Sequence, residues 1–398
     1  MFRDFLAAAG VVATALPHAS SATLLYVSSY SGTITSLNLT DATTTTGGAP
    51  ASLQSIASTT GCAPNPSWLT LDYPNSTLYC TDEGLSSPNG SLSAFKTSAD
   101  GTLVHLDTVT TILGPVSAVI YASLAPVQAE TFSIPHPGPN PSRQEAPHPH
   151  EAILDPSGQY LLVPDLGADL VRIFSINQTS LEWTAVKPLE VTPGSGPRHA
   201  TFLVTEDKRT FMYLVSELAN NITGYEVAYN GDDTLGFKQV YQSSTHGAGK
   251  TAPSGAGAAE IVLSKLWRAE CNTTTLLTTR TIGTQPDSKY LIVSSRGEAS
   301  FEIPNFDPSN STQIPSDVLI NFSVDHATGN LTPIQEFPSG GMFPRQFSIN
   351  KAGTLLGVGL QNDGRVVIID RDVETGKLKS FLAHTDVAGE ITSVIFYE

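Results

Sequence analysis

Five stretches of the sequence carry chemically active side chains at matching positions, although only 15% of the residues are charged. Each stretch reads as an apolar segment, a turn and a second apolar segment that ends on a polar residue. The residues just after the opening proline are Ser67, His150, Arg198 and Arg345. The residues that close the second segment are Glu83, Asp165, Glu217, Arg296 and Gln361. Equivalent positions of this kind indicate one shared site; the alternative is that the charges only solvate the ends of strands.

These residue types suit reactions of esters and carboxylates. The planar guanidinium of arginine binds a carboxylate or an oxyanion through two hydrogen bonds. Histidine transfers protons near neutral pH, and Glu217 could orient an arginine or act as a base. The sequence contains no G-x-S-x-G motif, so a serine nucleophile elbow is not indicated. His148 and His150 could suggest a metal site, but no third matched ligand accompanies them. We expect no cofactor, and a divalent ion bound in the channel is the less favoured alternative.

Strands must position these residues, because long amphipathic helical patterns are absent and apolar runs alternate with turn residues. The five hairpin stretches are 66–83, 149–165, 197–217, 259–296 (with an insertion) and 344–361. A third apolar strand follows most of them, and a fourth often follows that. Units of four strands over roughly 45 to 60 residues are typical of the blades of a β-propeller.

Two further blades complete the predicted ring. One lies between Pro66 and Pro149, with Ser117–Ile120 as its innermost strand, and the other joins strands from both ends of the chain. We therefore predict an all-β fold, a seven-bladed β-propeller of four-stranded antiparallel blades whose ring is closed by pairing of the N- and C-terminal strands. A pair of β-sandwiches is the alternative. In a propeller, both sets of polar residues would meet at one mouth of the central channel.

Composition narrows the range of partners. The chain has 398 residues, 21 Lys+Arg and 37 Asp+Glu, with a formal net charge of −16. A protein of this charge is repelled by nucleic acid and by anionic membranes, so we expect neither as a partner. An anionic substrate needs a local basic site, which the arginines could provide. Composition does not indicate the oligomeric state.

The N-terminus resembles a secretory signal peptide, although a frayed apolar terminus is the alternative. Residues 5–16 form an apolar stretch too short to span a bilayer, and small residues follow at 20–22. We expect a signal peptide at 1–22, a mature propeller at 23–398, and an extracellular protein. Nine Asn-x-Ser/Thr sequons support secretion and predict N-glycosylation. They begin at Asn38, Asn75, Asn89, Asn177, Asn221, Asn272, Asn310, Asn321 and Asn330.

Three cysteines are present. Cys62 and Cys80 flank a predicted strand pair, and a disulfide between them is plausible in an oxidising compartment. Cys271 would then remain free or buried.

Several motifs resemble one known family. HPHEAILDPSGQYLLVPDLGAD, GPRH, SEL, SSRGE and FPRQFSINKAGTLLGVG are similar to those of the seven-bladed lactonase propellers. That family includes bacterial-type 6-phosphogluconolactonases, fungal carboxy-cis,cis-muconate cyclases and secreted aldonolactonases. The similarity covers about residues 24–398 and implies a cofactor-free enzyme that acts on a lactone ring.

The resemblance also implies which residues form the site. The four matched catalytic positions are His150, Arg198, Glu217 and Arg296. The expected substrate-binding residues are His148, Glu83, Asp165, His199, Arg345 and Gln361. The chain departs from the family at Ser295, where asparagine is common, and at Gln346, where histidine is frequent. These departures bear on the substrate more than on the fold.

Three functions are consistent with this sequence. The first is hydrolysis of a sugar lactone such as glucono-1,5-lactone, with His150 or Glu217 activating water and Arg198 and Arg296 stabilising the oxyanion. The second is cyclisation of a carboxymuconate to a lactone, with the arginines holding the substrate carboxylates. The third is a secreted propeller that only binds a sugar or a protein. Secretion favours the first, because a secreted enzyme meets unphosphorylated sugar lactones.

Overall fold

The computed structural model describes residues 23–40, 51–121, 128–231, 234–264 and 288–398. The expected signal peptide at 1–22, Cys271 and the sequon at Asn272 lie outside these ranges. Every regular element within them is a β-strand, and none of these residues belongs to a helix that could cross a membrane.

In chain order, the strands of the described residues are β1 (Thr23–Ser29), β2 (Thr33–Thr40), β3 (Ser52–Thr59), β4 (Pro66–Asp72), β5 (Thr77–Asp82), β6 (Ser91–Thr97), β7 (Leu103–Thr110), β8 (Ile153–Leu154), β9 (Tyr160–Asp165), β10 (Leu170–Ile176), β11 (Trp183–Glu190), β12 (Pro197–Val204), β13 (Thr210–Ser216), β14 (Asn221–Tyr229), β15 (Leu235–Ser244), β16 (Gly257–Leu263), β17 (Tyr290–Arg296), β18 (Phe301–Pro304), β19 (Gln313–Ser316), β20 (Val318–Val324), β21 (Leu331–Pro338), β22 (Pro344–Ile349), β23 (Leu355–Leu360), β24 (Arg365–Arg371), β25 (Leu378–Asp386) and β26 (Ile391–Phe396).

These strands form six four-stranded antiparallel sheets and one two-stranded ribbon, β18–β19. Sheet 1 has the order β26-β1-β2-β3, so strands from both ends of the chain pair directly, and Val27 lies opposite Val394. Sheets 2, 3 and 4 are β4–β7, β8–β11 and β12–β15. Sheet 5 is β16-β17-β20-β21, and sheet 6 is β22–β25. The fold is therefore a β-propeller of four-stranded antiparallel blades, and the five predicted hairpins are all present.

The strands are continuous apolar runs because most sheets pack against a neighbour on each face. All seven residues of β13 are buried, and so are all six of β5. The turns carry the polar residues. In the hairpin between β8 and β9, the Asp155 carboxylate accepts hydrogen bonds from the backbone N–H groups of Ser157 and Tyr160. Gly158 in that turn has φ +68°, which favours glycine.

The core consists of apolar layers between neighbouring sheets. Such layers join sheets 1 and 2, 3 and 4, 4 and 5, 5 and 6, and 6 and 1. The space between sheets 2 and 3 is filled differently. There, the Thr70 hydroxyl of β4 donates to the carbonyl of Ala118 at 2.8 Å. On the other side, the backbone N–H of Ala152 donates to the Ser117 hydroxyl at 3.3 Å.

The segment between sheets 2 and 3 corrects one prediction. Ser117–Ile120 does not form a strand, and the described residues between β7 and β8 contain no sheet. The segment instead offers its backbone carbonyls to side chains of β4, including the Ser67 hydroxyl. The hairpin repeat therefore does not extend to this part of the chain, whose described residues lie beside sheets 2 and 3 without pairing as strands.

The expected covalent features are one disulfide and the N-linked glycans. Cys62 and Cys80 form the predicted disulfide, fully buried between sheets 1 and 2. The sequon asparagines with exposed side chains are Asn75, Asn89, Asn177, Asn310 and Asn330. Asn38 and Asn221 are half-buried in strands. Asn321 is only 1% exposed, and its Nδ2 donates to the carbonyl of Gly376. The prediction of a glycan on Asn321 is therefore wrong, because no attached sugar would fit at that atom.

Candidate active site

The structure brings together the four residues that open the hairpins. Ser67, Arg198 and Arg345 are the second residues of β4, β12 and β22, and His150 lies shortly before β8. All four line one cavity. The other residues that line it are Trp68, Val116, His199, Gln346 and Thr392. The cavity leaves about 10 Å³ for the centre of a water molecule, which suffices for one water but not for a sugar ring.

Glu217, just after β13, is surrounded by three arginines beside this cavity. Its Oε2 lies 2.9 Å from Arg198 Nε and 2.9 Å from Arg296 Nη2, and its Oε1 lies 2.6 Å from Arg143 Nη2. Burial alone would raise the pKa of Glu217, but the three guanidinium groups outweigh it and lower the pKa to about 2. Glu217 is therefore a fixed anion that orients arginines, and it is poorly suited to accept a proton.

The arginine cluster carries more positive than negative charge. Arg143, Arg198 and Arg296 share the single carboxylate of Glu217, in a chain whose formal net charge is −16. Burial, together with the charge of Arg296, lowers the pKa of Arg198 to about 9, so this guanidinium stays charged at neutral pH. Arg198 also donates from Nη1 to the carbonyl of Ala259 at 2.5 Å. The site is thus a local positive region suited to an oxyanion or a carboxylate.

A buried chain of hydrogen bonds connects His150 to a second carboxylate. His150 Nδ1 lies 3.0 Å from His199 Nε2, and His199 Nδ1 lies 2.9 Å from Glu260 Oε1. His199 is 1% and Glu260 4% exposed. Burial and the positive charge of Arg198 hold the pKa of His150 well below its usual range. Burial also lowers the pKa of His199, although Glu260 partly opposes it. Both imidazoles are therefore neutral at neutral pH.

These contacts determine which ring nitrogens carry protons. As a carboxylate, Glu260 can only accept a hydrogen bond, so His199 carries its proton on Nδ1. The Nε2 of a neutral His199 is then an acceptor and takes the hydrogen bond from Nδ1–H of His150. A neutral His150 consequently has its free lone pair on Nε2. His150 thus ends the chain as a proton acceptor beside the cavity.

A third group borders the cavity at Arg345. Its Nη1 donates to the Tyr30 hydroxyl at 2.9 Å, and its Nη2 lies 3.4 Å from Glu83 Oε1. The Tyr30 hydroxyl donates to the same Glu83 oxygen at 2.6 Å. Burial raises the pKa of Tyr30 to about 12, so its hydroxyl remains a donor. Glu83 therefore positions Arg345 mainly through the Tyr30 hydroxyl. Glu217 has the same role for Arg198 but contacts it directly.

Three expected substrate-binding residues lie elsewhere. Asp165 is fully buried, and its carboxylate accepts hydrogen bonds from the backbone N–H of His148 and from Arg172 Nε. Its position at the end of β9 serves its own turn, which corrects the prediction that it lines the pocket. His148 pairs with Glu145 at the surface, at 2.8 Å. Gln361 bonds Glu390 beside a separate, open depression.

Comparison with known proteins places this arrangement in a family. The family model described as "Lactonase, 7-bladed beta-propeller" matches residues 24–126 and 114–396. The chain belongs to this lactonase family. Membership confirms the family and the enzyme class, a lactonase, that the sequence predicted.

Curated relatives of this lactonase carry related names. A probable 6-phosphogluconolactonase of Arthroderma benhamiae is 28% identical over 337 residues, which cover 79% of this chain and 75% of the relative. The 6-phosphogluconolactonase of Bacillus subtilis is 26% identical over 254 residues, 63% of this chain and 58% of the relative. The match thus spans less than two thirds of the bacterial protein.

Solved structures share the fold of the lactonase. A periplasmic gluconolactonase of Pseudomonas aeruginosa has a TM-score of 0.71 and 23% identity, with 94% of this chain and 99% of that chain covered. A putative 6-phosphogluconolactonase of Bacteroides fragilis has a TM-score of 0.69 and 24% identity, with 94% and 98% covered. At these identities the likeness shows the fold alone.

Sequence reasoning missed several polar residues of the lactonase site. Glu260 interrupts the apolar run of β16, and a lone carboxylate inside a buried strand was the available signal. Glu151 follows His150 and accepts the backbone N–H of Ala200 at 2.6 Å; burial raises its pKa well above the usual range. Arg143 comes from the Pro-rich segment 135–147, whose path the strand pattern does not reveal. Within the described ranges, no three His, Cys, Asp or Glu side chains are placed to hold a metal ion.

Proposed function

We propose that this chain is a secreted lactonase that hydrolyses the ring ester of a sugar lactone such as glucono-1,5-lactone, with His150 as the general base. The observation that carries the proposal is the chain from Glu260 through His199 to His150. It leaves a neutral His150 with a free Nε2 beside a cavity that has room for one water. Family membership and the arginine cluster support the same reaction class.

The first step is attack of the water on the ring carbonyl. As the new carbon–oxygen bond forms, the water proton passes to His150 Nε2. The carbonyl oxygen becomes an oxyanion, and Arg198 and Arg345, which line the cavity, stabilise it. Arg296 acts one layer further out, because its contacts hold Glu217 and the carbonyl of Gly257.

The second step opens the ring. The tetrahedral intermediate collapses, the ester bond to the ring oxygen breaks, and His150 returns its proton to that oxygen. The product is an open-chain hydroxy acid, which releases its carboxyl proton to solvent, and the resulting carboxylate lies among the arginines. Since the cavity has room for one water but not for a sugar ring, the ring lies outside it. Arg143 is the most exposed of the three arginines around Glu217, with a side chain that is 49% exposed, and is therefore the one best placed to meet the ring.

Export and ring architecture belong to the same proposal. The buried disulfide and five exposed sequon asparagines support a secreted, glycosylated protein. Residues 115–118, which lie between sheets 2 and 3, take the place of a seventh blade in the ring expected from the sequence.

The test is acid release at constant pH from glucono-1,5-lactone and from 6-phosphogluconolactone, corrected for spontaneous hydrolysis. We expect turnover of the unphosphorylated lactone and loss of kcat by about 10³-fold in His150→Gln. His105→Gln, on the exposed strand β7, is the matched control and should keep full activity. Full activity of His150→Gln would contradict the proposed base. A preference for the phosphorylated lactone would contradict the proposed substrate, and loss of absorbance from a carboxymuconate would favour the cyclase.

A further inference from the structure

A second pocket, separate from the catalytic cavity, lies between sheets 3 and 4. Its volume is about 140 Å³. The residues that line it are Glu190, Val191, Thr192, Ser195, Ser216, Asn221, Thr223, Tyr225, Gln239 and Gln242. Ser195, Ser216 and Thr223 are buried and form its floor, whereas Gln239 and Gln242 are exposed at its rim. The pocket is therefore a cleft with a hydroxyl-rich floor that opens to solvent.

The polarity of this pocket is unusual for its place in the fold. Elsewhere, the layer between sheets 3 and 4 is apolar and contains Leu162, Ile173, Met212 and Leu214. Near the beginning of β14, however, Asn221 and Thr223 are two residues apart, so both side chains lie on the face that lines the pocket. An apolar packing layer thus gives way to hydroxyl and amide groups at one end.

Two of these polar groups lack hydrogen-bond partners. Ser195 is only 3% exposed, and its Oγ has no partner among the described residues. The same holds for the buried Oδ1 of Asn221. Buried polar atoms are nearly always paired with protein, water or ligand. The unpaired Ser195 Oγ and Asn221 Oδ1 therefore point to an occupant that offers hydrogen bonds.

The chemistry of the lining selects the occupant. None of the described residues that line the pocket is basic, and its one acid, Glu190, lies at the exposed rim. Such a lining does not suit a phosphate or a carboxylate, but it offers both donors and acceptors to hydroxyl groups. We propose that this pocket binds a neutral sugar ring, independently of the catalytic cavity.

One sugar could come from the chain itself. Asn221-Ile222-Thr223 is a sequon, and Asn221 is half-buried beside the pocket, so the first sugar of an N-linked glycan would lie in or over it. Asn321 provides the contrast, because it lies in an equivalent third strand, is 1% exposed and has no space for a sugar. The other source is a free saccharide.

The first experiment uses protein made without glycans, in the bacterial cytoplasm under disulfide-forming conditions. It is titrated with N-acetylglucosamine and with glucose by ligand-observed NMR. We expect saturable binding that Thr223→Val and Gln242→Leu each weaken by about tenfold. Thr179→Val, in an exposed sequon at the far end of sheet 3, is the matched control and should bind normally. Gln242 is exposed, so its variant folds even if Thr223→Val does not.

The second experiment uses protein from a eukaryotic secretory host. Peptide mapping should show a glycan on Asn221 and none on Asn321. In the native fold, the Asn221 glycan should resist enzymatic removal, whereas the glycan on the exposed Asn75 should be removed readily.

The outcomes separate the two sources. Binding in the first experiment alone identifies a free saccharide, and a protected glycan in the second alone identifies the chain's own sugar. No binding in the first experiment, with an empty or readily cleaved Asn221 in the second, overturns the proposal and leaves a water-filled cleft.

Discussion

Two buried carboxylates beside the catalytic cavity have opposite surroundings. Glu217 meets three guanidinium groups, whereas Glu260 meets the ring of His199, and its Oε2 has no partner among the described residues. The charge of Glu217 is therefore compensated whatever the reaction does. The charge of Glu260 is balanced best when a proton enters the histidine chain. Glu217 therefore orients the arginines, whereas Glu260 stabilises the positive charge that the histidine chain gains when His150 accepts a proton.

The largest effect should come from Glu217→Gln. This change leaves three arginines around a neutral amide, and breaking a buried ion pair costs about 3–5 kcal/mol in the free energy of unfolding. Urea unfolding measures it. Glu226→Gln, which removes a partner of Arg209 and Lys238 nearer the surface, is the control and should cost about 1 kcal/mol or less.

The pH dependence of the same variant sharpens the comparison. The folded pKa of Glu217, about 2, lies below its ordinary value of 4.5, so its stabilisation is complete above pH 4.5 and is lost as the pH falls toward 2. Glu217→Gln should lack this loss. Equal acid sensitivity in the variant and the wild type would show that Glu217 is not the ionised anchor.

Glu260→Gln should change the rate rather than the fold. The amide can still accept from His199 Nδ1, but it no longer stabilises the charge that appears when His150 takes a proton. We expect kcat to fall by about 10- to 100-fold with KM nearly unchanged, and Glu260→Asp to recover part of the loss. A fall in stability without a fall in kcat would reduce Glu260 to a structural residue.

The acid limb of the rate profile should lie at low pH. His150 must be neutral to accept a proton, and burial together with Arg198 holds its pKa well below the usual value of 6.5. Hydrolysis should therefore stay near its maximum below pH 6.5 and decline only in more acidic solution. A half-maximal rate near pH 6.5 would contradict this environment for His150.

The smallest effect concerns His246, which differs from His199 because a carboxylate faces each ring nitrogen. Glu298 lies 3.0 Å from Nε2 and Glu336 3.3 Å from Nδ1, and the hydrogen bond to Glu298 raises the pKa of His246. The stabilisation is complete below pH 6.5 and is lost as the pH rises through the elevated pKa. In urea unfolding, His246→Gln should lower the free energy of unfolding by about 1–2 kcal/mol at pH 6 and by less in alkaline solution.

The convergent residues of the site were predictable because they occupy equivalent positions in repeated hairpins. Each innermost strand begins at or near one of four residues, Ser67, His150, Arg198 and Arg345. Equivalent positions in successive hairpins therefore predicted that these four side chains line one cavity. Asp165, which the sequence pattern aligned with Glu217, instead corresponds to Ser216: it pairs with Pro149 as Ser216 pairs with Pro197, and its carboxylate bonds its own turn. A repeat aligned by eye therefore predicts which end of a strand a residue occupies, but an error of one residue in the alignment assigns its side chain to the wrong face.

Other parts of the site depend on contacts that no local pattern encodes. Arg143 contacts Glu217 from an irregular segment, and Glu260 of sheet 5 contacts His199 of the neighbouring sheet 4. The strand expected at Ser117–Ile120 failed for a related reason. Hydroxyl groups of β4 donate hydrogen bonds to backbone carbonyls of that segment. These carbonyls therefore do not need a neighbouring strand as their partner, and an apolar sequence alone does not make the segment a strand.

The pairing of β26 with β1 means that sheet 1 cannot be completed until β26 has been synthesised. Among the described strands, β1 is made first and its partner β26 is made last. Until then one edge of β1 stays open to mispairing with other chains. Thr392 of β26 also lines the catalytic cavity and donates to the carbonyl of Pro66 at 2.7 Å. A nascent chain therefore carries an exposed edge well before it carries a finished catalytic pocket.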